Sequence, residues 1–141
     1  MKMRSSRLPS ILALLLLVHL TAGPSVAAAQ GVPIIGQDIA YASGGIGVNE
    51  REEMQAMMAD YSLKLAFAVE GSGAYLSEVL VTVQRGAETV FQVADVGPWL
   101  FVKLPAGSYL VIAVSGEQTK EATIEVPESG LADAVLRFPE S

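Results

Sequence analysis

The clearest structural signal in the chain lies in residues 97–116, which read Gly-Pro-Trp-Leu-Phe-Val-Lys-Leu-Pro-Ala-Gly-Ser-Tyr-Leu-Val-Ile-Ala-Val-Ser-Gly. A short aromatic and apolar segment ends at Leu104, a turn occupies 105–107, and a longer apolar segment covers 108–115. Successive side chains of a strand point to opposite faces of a sheet. Both sets of alternate side chains are apolar over 109–114, so this segment is predicted to be a central strand.

Alternation of apolar and polar residues continues on both sides of this stretch. Glycine, proline and other turn residues separate the alternating segments, and no helical period lies between them. The predicted strands lie at about 62–70, 76–84, 89–96, 99–104, 108–115, 119–126 and 132–138. Short strands at this spacing predict an all-β fold, an antiparallel seven-stranded β-sandwich over residues 62–139.

The stretch at 97–116 also carries a family resemblance. It has an aromatic strand, then Leu104-Pro-x-Gly-x-Tyr109, then an alternating apolar strand that closes on Gly116. This order resembles the carboxypeptidase regulatory-like domain over about residues 63–138, and the resemblance implies a transthyretin-like, Greek-key sandwich. The layout, with Gly-Gly-Ile-Gly-Val-Asn-Glu at 44–50, is similar to small exported proteins of Gram-negative bacteria whose function is not established. Hydroxyisourate hydrolases share the architecture, but that resemblance implies active-site histidines.

The first 29 residues have the order of a secretory signal peptide. Basic residues precede an apolar run, and small residues close the segment at 26–29. Small side chains at the third and first positions before the cut suit the signal peptidase, which predicts cleavage between Ala29 and Gln30, with cleavage after Ala28 as the alternative. The run is shorter than the roughly 20 apolar residues of a membrane span. A Sec-type export to the periplasm or the medium is therefore expected, with no membrane insertion after cleavage.

Two segments precede the predicted sandwich. Residues 30–48 are rich in glycine, alanine and other small residues, which predicts a flexible N-terminal arm. Residues 49–61 are predicted to contain a short helix, because methionines and a tyrosine follow at helical spacing. Asn49 is predicted to cap this helix, with Glu52 reaching back to complete a capping box.

Charge and composition exclude several classes of function. The leader contains three of the nine basic residues and none of the fifteen acidic ones, so the mature chain has six basic and fifteen acidic residues and a net charge of −9. This charge disfavours nucleic acid and anionic membranes as partners. The mature chain has no cysteine, and the single histidine, His19, lies in the leader. A Cys/His zinc site and a histidine-based nucleophilic site are excluded, so no metal, cofactor or catalytic residue is predicted.

One possible ligand surface emerges from the sequence. Trp99, Phe101 and Tyr109 could form an aromatic platform for a sugar or a peptide, because these rings offer flat apolar faces. The alternative for the same residues is ordinary core packing. A second and weaker hypothesis is an enzyme that uses carboxylates such as Glu78 and Asp95.

These observations together predict a non-enzymatic exported module that binds or interacts with another molecule. The partner is an unidentified protein, peptide or glycan. A carbohydrate- or peptide-binding domain built around Trp99 is the main alternative.

Overall fold

The computed structural model describes residues 31–141. The predicted signal peptide at 1–29 and its cleavage junction at Ala29 and Gln30 lie outside these described residues. Within the described part of the chain, no helix combines the length and the apolar character needed to cross a membrane.

Nine strands, one α-helix and one 3-10 turn make up the described chain. In chain order they are β1 Val32–Ile35, β2 Tyr41–Gly44, α1 Val48–Met57, the 3-10 turn Met58–Asp60, β3 Leu63–Val69, β4 Val79–Arg85, β5 Glu88–Val96, β6 Trp99–Val102, β7 Gly107–Ser115, β8 Gln118–Val126 and β9 Ala132–Phe138. The predicted short helix and a mostly-β fold are confirmed. The predicted count of seven strands matches 63–138 but is too low for the chain, because β1 and β2 precede them.

The strands form two sheets. One sheet has five strands in the order β1-β5-β4-β7-β8, and the other has four in the order β2-β6-β3-β9. Alternate side chains of both sheets meet in one buried apolar core, to which Leu65 on β3, Val81 on β4 and Val111 on β7 all contribute. The molecule is therefore sandwich-like, and β7 is an interior strand with a partner on each side, as its apolar sequence predicts.

One strand pair contradicts the prediction of a wholly antiparallel fold. β3 and β9 run parallel over seven paired positions, from Leu63 opposite Ala132 to Val69 opposite Phe138. Alternation along a strand identifies its two faces, but it carries no information about the neighbour or the direction of that neighbour. The error follows from that limit.

The segment predicted as a flexible arm also differs from expectation. β1 pairs antiparallel with β5, and β2 pairs antiparallel with β6, so each lies at the edge of a sheet. The small residues allow close packing at this edge. A Cβ atom on Gly44 would collide with the Glu50 carboxylate and would lie 3.2 Å from the Met54 Sδ. Glycine at 44 therefore lets α1 approach β2, and the helix is held against the sheet.

The predicted cap of α1 is wrong. The N-cap position is Gly47, which makes no side-chain capping bond, and Asn49 is already the second residue of the helix. The side chain that reaches back is that of Glu50, whose Oε1 accepts a hydrogen bond from the Gly45 backbone N–H at 3.0 Å. A carboxylate here also suits the positive end of the helix dipole.

The turn between β6 and β7 carries the chain from the four-stranded sheet to the five-stranded sheet. The Tyr109 hydroxyl donates a hydrogen bond of 2.7 Å to the Pro105 carbonyl, and the ring is 2% exposed in the core. Gly107 has φ +154°, and a Cβ there would lie 2.9 Å from the Arg85 guanidinium. The Leu-Pro-x-Gly-x-Tyr motif thus forms a tight crossing that the tyrosine anchors.

Replacing Tyr109 with phenylalanine is expected to lower the free energy of unfolding by about 0.5–1.5 kcal/mol, because it removes this hydrogen bond and keeps the ring. Urea denaturation measures the change. The matched control is Tyr75→Phe, since Tyr75 is 50% exposed and makes no hydrogen bond through its hydroxyl within the described residues. That control should stay within about 0.5 kcal/mol of wild type. Equal stability of the two variants would contradict the anchoring role.

Candidate functional site

The outer face of the four-stranded sheet is covered by α1. Five buried residues form a cluster between helix and sheet, and three partly buried side chains pack on it from the end of the helix and the segment after it. The buried members are Ala42, Met54, Ala66, Trp99 and Phe101, and the partly buried ones are Met57, Met58 and Tyr61. This outer cluster is separate from the core between the sheets and is the reason that the helix stays in place.

The aromatic residues proposed from the sequence lie in two different places. The rings of Trp99 and Phe101 stack in the outer cluster, with centroids 6.3 Å apart and an interplanar angle of 23°. Trp99 is 6% exposed and Phe101 is fully buried. Tyr109 lies in the core between the sheets. The structure therefore brings two of the three together and buries all of them, so they do not form one exposed surface.

The exposed edge of the outer cluster is closed by a cation. The Lys64 Nζ lies 4.4 Å from the centroid of the Trp99 ring and 3.9 Å from the Asp133 carboxylate. A cation over an indole face is attracted by the ring quadrupole. Lys64 thus occupies the position that a sugar ring or another flat ligand would need.

The two carboxylates of the enzyme hypothesis lie near the same end of the β4–β5 pair. Glu78 precedes Val79, Asp95 precedes Val96, and these two valines are paired across the strands. Both acids have positive φ values, 59° for Glu78 and 57° for Asp95, and both are exposed. Neither lines the cavities of about 610, 480, 390 and 490 Å³ in the described chain, whereas a catalytic carboxylate pair usually lies in a cleft. Within the described residues, no cluster of three or more acidic, histidine or cysteine side chains could hold a metal ion.

A concave surface lies at the end of the molecule where β3 begins and β6 ends. Three adjoining cavities of about 480, 390 and 490 Å³ share walls there. Tyr61 lines the first and second, and Leu104 with Pro105 lines the second and third. We call this surface the end groove; its walls are the segments 38–40, 58–62, 103–106 and 127–131, together with Gln55.

Hydrogen bonds fix the floor of the end groove. The Ser62 hydroxyl donates to the Leu104 carbonyl at 2.8 Å and accepts from the Leu104 N–H at the same distance. The Ser62 carbonyl accepts from the Ala132 N–H at 2.9 Å. The segment after α1 is therefore tied both to the β6–β7 turn and to the start of β9. Sites on such supported loops keep their shape better than free loops do.

The first cavity of the end groove has a mainly apolar lining, and the rim of the groove is charged. Met58, Tyr61 and Leu131 line the first cavity. Asp60, Glu128 and Lys103 lie around the second. Burial raises the pKa of the Tyr61 hydroxyl above its ordinary value, and the neighbouring Asp60 carboxylate raises it further. The Asp60 carboxylate thus places a negative charge beside the apolar lining, and the surface suits an apolar side chain next to a positive charge.

Two other surfaces are weaker candidates. A cavity of about 610 Å³ at the opposite end is lined by the β7–β8 turn and by the chain end, 139–141. A partly exposed apolar row follows the outer face of the five-stranded sheet, at Leu80, Leu110, Ile112 and Val114. The row is a sheet face without concave walls, and the cavity is formed in part by a terminus. The end groove alone combines concave shape, apolar lining and hydrogen-bonded support.

Sequence reasoning did not find the end groove. The helical spacing of the methionines predicts that they pack on the sandwich, with an adaptable binding stripe as the alternative, and it gives no sign that Met58 and Leu131 share a cavity. The residues share no motif, because they come from segments that only the folded chain brings together. A comparison with protein-family models and with curated proteins found no match for the chain.

The raised pKa of Tyr61 predicts a pH effect on stability. The folded protein holds the phenolic proton at a pH at which the unfolded chain, with its ordinary value of 10.0, loses it. The free energy of unfolding should therefore fall as pH rises above about 10. Tyr61→Phe removes this contribution, so its denaturation midpoint should fall less steeply than that of wild type between pH 10 and 11. Below pH 9 the denaturation midpoints of wild type and Tyr61→Phe should change with pH in parallel. Parallel changes up to pH 11 would contradict a raised pKa of Tyr61.

The burial of Trp99 predicts its fluorescence. An indole that is 6% exposed and stacked on Phe101 should emit at the short wavelengths of an apolar environment. Addition of neutral mono- or oligosaccharides should leave this emission unchanged. Red-shifted emission that sugars perturb would instead support the aromatic platform at Trp99. Free tryptophan measured in the same sugar solutions serves as the control.

Proposed function

We propose that this chain is exported through its leader, which is removed at Ala29–Gln30 or one residue earlier, and then works as a non-enzymatic binding module in the periplasm or the medium. The end groove is the observation that supports a binding role most directly. It offers an apolar recess of about 480 Å³, in whose wall the Tyr61 N–H donates a hydrogen bond to the Met58 carbonyl. Such a recess can accept a side chain of a partner without rearrangement, which lowers the entropic cost of association.

We also propose that the sandwich belongs among carboxypeptidase regulatory-like domains with a transthyretin-like, Greek-key arrangement. Support comes from the motif at 104–109, in which each defined residue has a structural task. Leu104 is buried, Pro105 accepts the hydrogen bond from Tyr109, and Gly107 leaves room for Arg85. The motif thus supports a fold family and leaves the activity to other parts of the surface.

The chemistry of the end groove favours a peptide or protein segment over a glycan. Met58, Tyr61 and Leu131 present apolar atoms and few hydrogen-bond partners for sugar hydroxyls. The flexible thioether of a methionine also adapts to different side chains. A glycan site around Trp99 is disfavoured, because Trp99 is 6% exposed and Lys64 lies over one face of its ring.

The charge of the protein further limits the class of partner that fits the end groove. The residues 31–141 carry all fifteen acidic residues and six basic ones, and two of the acidic residues, Asp60 and Glu128, line the second cavity. Lys103 is the basic residue on the rim, and it lies on the side shared with the third cavity, next to Asp38. A positively charged segment with one apolar anchor fits this arrangement, and its association should weaken as salt concentration rises.

The non-enzymatic part of the proposal rests on residue chemistry. Residues 31–141 contain neither histidine nor cysteine, so a cysteine nucleophile and a histidine proton shuttle are absent from them. Glu78 and Asp95 are exposed, which leaves them in the solvent that a catalytic carboxylate must partly lose.

The decisive test is affinity capture from a periplasmic extract with three baits. Wild type is compared with Leu131→Asp, which places a charge in the first cavity, and with Val135→Asp. Val135 is 48% exposed on the outer face of β9 and does not line the end groove, so it is the matched control. We expect the same partner with wild type and with Val135→Asp, and its loss with Leu131→Asp. Circular dichroism verifies that both variants fold.

Retention of the partner by Leu131→Asp would refute the end groove as the binding site. A substrate turnover that one side-chain change abolishes would refute the non-enzymatic role.

A further inference from the structure

The three methionines of the described chain lie on a single helical segment. They are Met54, Met57 and Met58, at the end of α1 and the start of the 3-10 turn. All three belong to or pack on the outer cluster, which also contains Trp99 and Phe101. Thioether contacts with aromatic rings are favourable, so these sulfur atoms contribute to the attachment of the helix.

The three side chains differ in burial or in their contact with the end groove. Met54 is 4% exposed, and its Sδ lies against Gly44 of β2. Met57 is partly buried on the outer cluster and lines none of the cavities of the end groove. Met58 is partly buried on the outer cluster as well, but it also lines the first cavity together with Tyr61 and Leu131. A small solute that enters this cavity therefore reaches Met58 first.

We propose that Met58 is an oxidation site through which hydroperoxides control the end groove. The thioether sulfur of Met58 attacks one oxygen of the peroxide, and the O–O bond breaks. The sulfur gains that oxygen and is oxidised by two electrons to the sulfoxide, while the peroxide is reduced and leaves as water or an alcohol. A thiol-dependent sulfoxide reductase reverses the change, so the modification can act as a switch.

The sulfoxide changes the first cavity in two ways. It places a polar S–O group among Tyr61 and Leu131, where unpaired polar groups are costly, and water then has to enter to satisfy it. It also weakens the contact of Met58 with the outer cluster, which helps to hold the end of the helical segment. An apolar anchor of a partner should bind less well to the oxidised site. This last consequence rests on the proposed function, whereas the site of oxidation does not.

The first experiment measures oxidation by position. The purified protein is treated with hydrogen peroxide, and the sulfoxide at each methionine is followed over time by peptide mass mapping. Met58 should oxidise several-fold faster than Met54, with Met57 between them. Met58→Leu keeps a similar apolar volume and should remove the fast phase, whereas Met57→Leu, the matched control, should retain it. A fast phase carried by Met54 or Met57, or equal rates at all three positions, would overturn the proposal.

The second experiment tests whether oxidation changes the environment of Tyr61 in the end groove, with no partner present. Ultraviolet titration follows ionisation of tyrosine before and after peroxide treatment. Water that enters beside Tyr61 should lower its ionisation midpoint in the oxidised wild type, whereas Met58→Leu should show the same titration with and without peroxide. An unchanged tyrosine titration in fully oxidised wild type would contradict the proposal that oxidation of Met58 changes the end groove.

The two proposals fail in different ways. Met58→Gln introduces a polar side chain of similar length. We expect this variant to lose the partner, as Leu131→Asp does. If Leu131→Asp still captures the partner, the binding site is elsewhere, and the oxidation results are unaffected. If Leu131→Asp loses the partner and Met58→Gln keeps it, polarity at position 58 does not control binding, and the switch is refuted.

Discussion

The crossing from β6 to β7 is the constraint on which the rest of the molecule depends. At this crossing the chain leaves the four-stranded sheet and enters the five-stranded one. Three hydrogen bonds hold it: the Tyr109 hydroxyl donates to the Pro105 carbonyl at 2.7 Å, and the Ser62 hydroxyl donates to the Leu104 carbonyl and accepts from the Leu104 N–H. One wall of the end groove is therefore also a joint of the fold, and its shape is tied to the stability of the core.

The two sheets differ in what covers their outer faces. The four-stranded sheet carries Trp99 and Phe101 outward, and α1 covers them with its methionines. The five-stranded sheet carries a partly exposed apolar row outward, with Ile112 opposite Thr82, and no described element covers it. The helix does more than cover the sheet, because it continues into the 3-10 turn that lines the end groove. Packing against the sheet places Met58 and Tyr61 at the edge of the outer cluster and in the groove at once.

Several features of the fold were predictable because they depend on neighbours along the chain. Alternation located the strands from Leu63 to Phe138, and the spacing of the methionines located the short helix. The helix cap was predicted wrongly, since Asn49 and Gly47 are both residue types found at N-caps and the folded chain has Gly47 there. The small residues before the helix were read as flexible, although edge strands need only backbone groups that can pair.

The sequence alone was sufficient to predict the all-β character and the interior position of the strand at Tyr109. It also determined the residue types that limit the chemistry. Each of these follows from local periodicity or from composition. The parallel pairing of β9 with β3, the burial of Trp99 under the helix and the separation of Trp99 from Tyr109 needed the folded chain. So did the end groove, since Met58, Leu104 and Leu131 are far apart in sequence and meet through long-range contacts. Local patterns fix which face of an element is apolar, but only tertiary packing selects what covers that face.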